Sequence, residues 1–136
     1  MMRIQWQWTV ALSALFAFLL DQISKTVFIS SQGRMLINEG VSFGWRPAGE
    51  WLPIGLVVLI FFVAAASFRY WSRAPLATGL FLGGVLANLT DRLIFGGVRD
   101  WLPIPLIGLY NNLADWAIAA ATILLLYAVI RNEKKL

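Results

Sequence analysis

Four long apolar stretches take up most of this chain: about Trp8–Ile29, Leu52–Phe68, Pro75–Phe95 and Leu113–Ile130. A helix needs roughly 17–25 residues to cross a bilayer, and each stretch reaches that range. Backbone N–H and C=O groups in lipid find no water, so such a stretch must satisfy them internally, as a helix. With 60% hydrophobic residues among 136 and a mean hydropathy of +0.73, little sequence is left for a soluble domain. The expected architecture is an all-α membrane protein, one polytopic domain over residues 1–136 with four transmembrane helices. The first stretch carries Asp21 and Lys25 and lacks a small-residue cleavage site, so it reads as a retained helix and not a signal peptide.

Charge placement sets the expected orientation. If the N-terminus, the loop Arg69–Arg73 and the C-terminus share a side, that side holds Arg3, Arg69, Arg73, Arg131, Lys134 and Lys135 against Glu133 alone. The other side holds Lys25, Arg34, Arg46, Arg92 and Arg99 against Asp21, Glu39, Glu50, Asp91, Asp100 and Asp115. The positive-inside rule puts the first side, with both termini, in the cytoplasm. Trp6, Trp8 and Trp71 then fall at the cytoplasmic ends, and Trp45, Trp51, Trp101 and Trp116 at the outer ends, as an aromatic belt requires. A basic rim facing anionic lipid accounts for the net charge of +4 without a nucleic-acid partner.

The chain has no Cys and no His. That removes thiolate nucleophiles, disulfides, Ser–His–Asp triads and thiolate or imidazole metal sites. No metal or cofactor is expected. Carboxylate, Lys, Tyr and Ser remain for chemistry, and six of the seven acids fall on the outer side.

The polar clusters follow in chain order. In "DQISK", Asp21 and Lys25 are four apart and share a helix face, which suits an ion pair at a helix end. A Ser24–Lys25 nucleophile pair is poorly placed, because adjacent helical residues diverge by about 100°. Over Ile37–Trp51, Val41, Phe43 and Trp45 alternate with smaller residues, and glycines and Pro47 break any helix. An extended segment lying on the membrane surface fits, as does an ordinary connection. Gly79, Gly83 and Ala87 form a small-residue row for close helix packing. Asn88, Asp91 and Arg92 then share a polar face. Asp91 and Arg92 could neutralise each other, or the three could mark a polar cavity.

"GGVRDWLPIPLIGLYNNLAD" holds the sharpest signal. Asp100 follows a double glycine, Asp115 opens the last helix, and the loop between carries Pro103, Pro105 and Gly108 and can fold back. Two close carboxylates share a proton: one then activates water while the other, protonated, polarises a carbonyl. The alternative is an asparagine N-cap with an aspartate complementing the helix dipole.

The ordered motifs DQxSK, NxGxxF, GGxxxNxxDR, GxxxD and NxAD, at Asp21–Lys25, Asn38–Phe43, Gly83–Arg92, Gly96–Asp100 and Asn112–Asp115, resemble the lipoprotein signal peptidase (signal peptidase II) family. The resemblance covers nearly the whole chain. It implies a four-helix aspartyl intramembrane protease of the bacterial inner membrane. Such a protease cleaves the signal peptide of diacylglyceryl-modified prolipoproteins near the outer face. Asp100 and Asp115 match the catalytic aspartates. Asn38, Asn88, Arg92 and Asn112 match residues that line the site and contact substrate or a peptide antibiotic. Asp21 and Lys25, with Asp91, match supporting positions, and Ile37–Trp51 matches a small periplasmic β-like cradle between helices 1 and 2. Glu39, Ala87, Trp101 and Asn111 depart from the residues usual in the family, and the loop between the aspartates is short. Two other readings use the same acids: a catalytically silent relative that binds lipidated peptides, and a small transporter with a polar cavity.

Overall fold

The structure is a computed structural model that describes residues 5–32, 36–40, 72–105 and 108–133. Its elements are α1 (Gln5–Gln32), β1 (Leu36–Asn38), α2 (Pro75–Phe95), β2 (Val98–Asp100), β3 (Leu102–Ile104), β4 (Leu109–Asn111) and α3 (Leu113–Glu133). Three expected spans are therefore helices. The expected span at 52–68 and the surface segment at 41–51 lie outside the described residues. α1 runs past the expected Trp8–Ile29 at both ends. At its C-terminal end Ser30 and Ser31 donate their hydroxyls to the carbonyls of Val27 and Phe28, so polar residues join the helix without leaving their donors idle.

The small-residue row sets how α1 meets α2. A methyl group at Gly83 would collide with the carbonyl of Ala14, and one at Gly79 with the hydroxyl of Ser13. Further along, Gln22 Nε2 donates to the Ala87 carbonyl at 3.2 Å, and Lys25 reaches Asp91 at 2.9 Å. Residue numbers on the two helices rise together, so α1 and α2 are parallel. α3 runs the other way, with Asp115 beside Asn88 and Ile118 beside Gly84. The described residues on either side of 41–71 thus lie at opposite ends of the helix bundle, about 30 Å apart for a helix of 21 residues.

Burial is inverted relative to a protein in water. The largest fully buried side chains are Lys25, Asn112, Asp21 and Asp91, while Leu93 is 78% exposed and Trp8, Leu12, Phe16 and Ile123 are exposed as well. Apolar side chains facing outward around a polar interior are what a lipid solvent selects. Two helices, Gln5–Ser31 and Leu113–Arg131, are long and apolar enough to cross a bilayer.

The segment after α2 is more ordered than the expected loop. Gly96 ends α2 in the left-handed region at φ 74, and its N–H donates to the Arg92 carbonyl. Gly97 then passes so close to β1 that a Cβ there would lie 2.6 Å from Ile37. β2 pairs antiparallel with β1 (Leu36 opposite Asp100, Asn38 opposite Val98), and β3 pairs with β4 as a hairpin. Pro103, in the stretch expected to be a loop, stands in the middle of β3. A two-stranded hairpin leaves each strand an open edge, which is where proline is tolerated.

Candidate active site

Among the described residues, Asp21–Lys25, Asn38, Asn88–Arg92, Asp100 and Asn112–Asp115 meet at one end of the bundle, where α1 and α2 finish and α3 begins. A cavity of about 430 Å³ opens there, lined by Asn38, Asn88, Arg92, Asp100, Asp115 and the apolar Val98, Ile104 and Ile118, among others. It brings together, from β1, α2, β2 and α3, five of the six residues expected to be catalytic or to bind substrate. The sixth, Asn112, is fully buried and links the Asp100 carboxylate to the Asp115 backbone. Its Nδ2 donates to Asp100 Oδ1 at 2.7 Å, and its Oδ1 accepts the Asp115 N–H at 3.0 Å. Asn112 is thus the asparagine cap of α3, and Asp100 and Asp115 line the same cavity.

Each carboxylate accepts from an asparagine that lines the cavity. Asn38 Nδ2 reaches Asp100 Oδ2 at 2.9 Å, and Asn88 Nδ2 reaches Asp115 Oδ1 at 2.8 Å. Burial pushes the Asp100 carboxyl above its ordinary value. The hydrogen bonds from Asn38 and Asn112 and the charges of Lys25 and Arg92 oppose that rise.

Asp21, Lys25 and Asp91 lie off the cavity, in a buried ion cluster. Lys25 Nζ is 2.6 Å from Asp21 and 2.9 Å from Asp91, and donates to Asn88 Oδ1 at 3.2 Å. Asp21 also accepts the Ala114 N–H at the start of α3. Ser24 bonds the Asp21 carbonyl, so no Ser24–Lys25 nucleophile pair forms. The possible Asp91–Arg92 pair gives way to another. Asp91 binds Arg99 at 2.7 Å, while Arg92 Nη2 donates to the Gly40 carbonyl at 2.8 Å and holds the turn after β1.

Arg99 and Asn111 were not anticipated as site-building residues. With its amide oriented to satisfy both neighbours, Asn111 donates to the Leu102 carbonyl at 3.0 Å and accepts from Trp116 Nε1 at 2.8 Å. It ties the hairpin to α3 at the cavity wall, and Trp116 lines the cavity as well as standing at a helix end. The sequence signal for Arg99 was its place beside Asp100 in an extended stretch, where alternate residues face opposite ways.

Fold and site define a helical protein of membrane type, with a carboxylate-lined polar cavity at one end of a bundle that is apolar outside. Residues 13–131 match the family described as signal peptidase (SPase) II. A lipoprotein signal peptidase from Syntrophomonas wolfei subsp. wolfei is 34% identical over 141 residues, covering 90% of this chain and 93% of its own length. One from Moorella thermoacetica is 32% identical over 137 residues, covering 88% and 91%. Two solved bacterial membrane enzyme structures, both obtained by the in meso method, share the fold. Their TM-scores are 0.76 and 0.66, each at 22% identity, over 93% and 89% of this chain. The chain belongs to the signal peptidase II family.

Proposed function

We propose that this chain is an intramembrane aspartic endopeptidase that removes the signal peptide from diacylglyceryl-modified bacterial prolipoproteins, with Asp100 and Asp115 as its catalytic pair. The observation that carries the reading is the shared cavity: two carboxylates at the polar end of an apolar bundle, with Asn112 linking the Asp100 carboxylate to the Asp115 backbone. Between them the pair holds one proton. The ionised aspartate takes a proton from water as it attacks the scissile carbonyl, while the protonated one donates to that carbonyl oxygen. Collapse of the tetrahedral diol breaks the C–N bond: the leaving amine takes the proton held by one aspartate, a diol hydroxyl returns its proton to the other, and the pair again holds one proton. Asn38, Asn88 and Asn112 hold the carboxylates, Asn38, Asn88 and Arg92 line the cavity where the peptide backbone would lie, and a peptide antibiotic would compete for the same cavity.

The proposal extends to the whole chain: one polytopic domain in the bacterial inner membrane, four spans, a periplasmic β-like cradle and the site near the outer face. It is supported by the parallel run of α1 and α2, which leaves the described residues on either side of 41–71 at opposite ends of the bundle, and by the pairing of β1 with β2.

The test is cleavage of a lipid-modified precursor by the reconstituted chain. Asp100→Asn and Asp115→Asn should each lower turnover by at least about 10³-fold, while the protein accumulates folded in membranes. Near-normal turnover by either variant ends the two-aspartate reading. Binding of the precursor without cleavage by the wild type would favour the silent relative.

A further inference from the structure

Arg99 adjoins Asp100 in sequence but sits on the opposite face of β2. Val98 and Asp100 line the cavity, and the Arg99 side chain between them points away from it. Arg99 is 6% exposed. Its Nε and Nη2 donate to Asp91 Oδ1 at 3.1 and 2.7 Å, Nη2 also donates to Gln22 Oε1 at 2.6 Å, and its backbone N–H donates to Asp91 Oδ2 at 3.0 Å. The Phe95 ring lies 4.4 Å from the guanidinium carbon. One carboxylate on α2 therefore grips this residue by both main chain and side chain. The cluster balances: Asp21 and Asp91 against Lys25 and Arg99.

β2 has physical need of such a grip. It is three residues long and pairs with another three-residue strand, a ladder too short to hold its own register. Side-chain facing has a period of two, so a slip of one residue would carry Asp100 out of the cavity and Arg99 into it. Arg92, which shares a helical turn with Asp91, fixes the Gly40 carbonyl just beyond β1. α2 thus holds both strands, and one turn back its Asn88 holds Asp115.

We propose that Arg99, gripped by Asp91, is a positioning residue for Asp100: it pins the register of β2 and so the placement of the two carboxylates relative to each other. This rests on the two-aspartate reading above. Arg99 touches neither cavity nor substrate, so its loss should act on kcat and leave KM nearly unchanged.

The experiment compares three variants of the full chain, each assayed per folded molecule on a diacylglyceryl-modified precursor peptide. The double variant Asp91→Asn with Arg99→Gln keeps the buried cluster neutral and replaces the ionic grip with a weaker amide pair. It should fold, with kcat down about 10²-fold and KM within about twofold, the scale expected for a misplacement near 1 Å. Arg99→Lys keeps the charge but not the fork, so its kcat should fall less. Asp100→Asn reads the underlying mechanism. If Asp100→Asn is inactive while the double variant turns over like the wild type, the positioning role falls alone. Loss of folded protein with unchanged kcat in the molecules that remain also overturns it. If Asp100→Asn itself turns over normally, the two-aspartate reading has failed.

Discussion

Three asparagines meet the two carboxylates, and the partner of each oxygen fixes which way its amide faces. Asn38 Oδ1 accepts the Gly40 N–H, Asn112 Oδ1 accepts the Asp115 N–H, and Asn88 Oδ1 accepts from the Lys25 ammonium, which has only donors to offer. Every amide NH2 is thereby turned toward a carboxylate. Both oxygens of Asp100 receive one, which favours its charged form against the burial that disfavours it. Asn38→Ala removes one of these opposing bonds, so Asp100 should hold its proton to higher pH. The limb of the pH–activity profile set by Asp100 should move upward, and a limb that stays put or moves down would contradict the bond's electrostatic role. The folded chain binds this proton more tightly than the unfolded chain. The group therefore favours folding most at low pH, and that contribution falls as pH rises through its titration. The sequence showed which residue types stand at the site. It could not show amide orientation, because that depends on Lys25 and Gly40, which reach the asparagines through the fold.

Among the described elements, the three helices were legible, whereas β2, β3 and β4 were not. A stretch of about 20 apolar residues states its own structure in lipid. A three-residue strand has no periodicity to detect, and β2 exists because Gly97 lets it lie against Ile37. For the same reason the grip of Asp91 on Arg99 was hidden: its partners are eight residues apart across a double glycine, and Arg92 looked the nearer cation. Two glycines that look alike in sequence should differ in consequence. Gly83 faces the α1 backbone, so Gly83→Ala must push the helices apart, at roughly 1–3 kcal/mol. Gly96 has a positive φ and nothing within 4 Å of a built Cβ, so Gly96→Ala meets backbone strain of about 1 kcal/mol with no collision. Thermal unfolding in detergent should therefore show the larger drop in Tm for Gly83→Ala. Equal drops would mean that the α1–α2 contact yields more easily than its geometry implies.

For the whole molecule, the polar cavity lies at one end of the bundle, and that end fixes which face of the membrane the chemistry meets. Asp100, Asp115, Asn38, Asn88 and Arg92 gather where α1 and α2 end, whereas Arg73 and Arg131 lie at the opposite end, beside the start of α2 and the finish of α3. Basic residues at one end of a helix bundle favour the cytoplasmic side of a membrane. The inward side chains at the cavity end are neutralised within the buried cluster, so Lys25 and Arg99 carry little weight as orientation signals. This asymmetry is sharper than the raw count of basic residues, which differs by one between the two sides in sequence. A reporter active only in the cytoplasm should work when fused after Leu136, and one active only outside should work when inserted near Gly49. The reverse pattern would turn the cavity toward the cytoplasm. The proposed substrate, a precursor cleaved at the outer face, could not then reach it, and the proposed function would fall even with both aspartates intact.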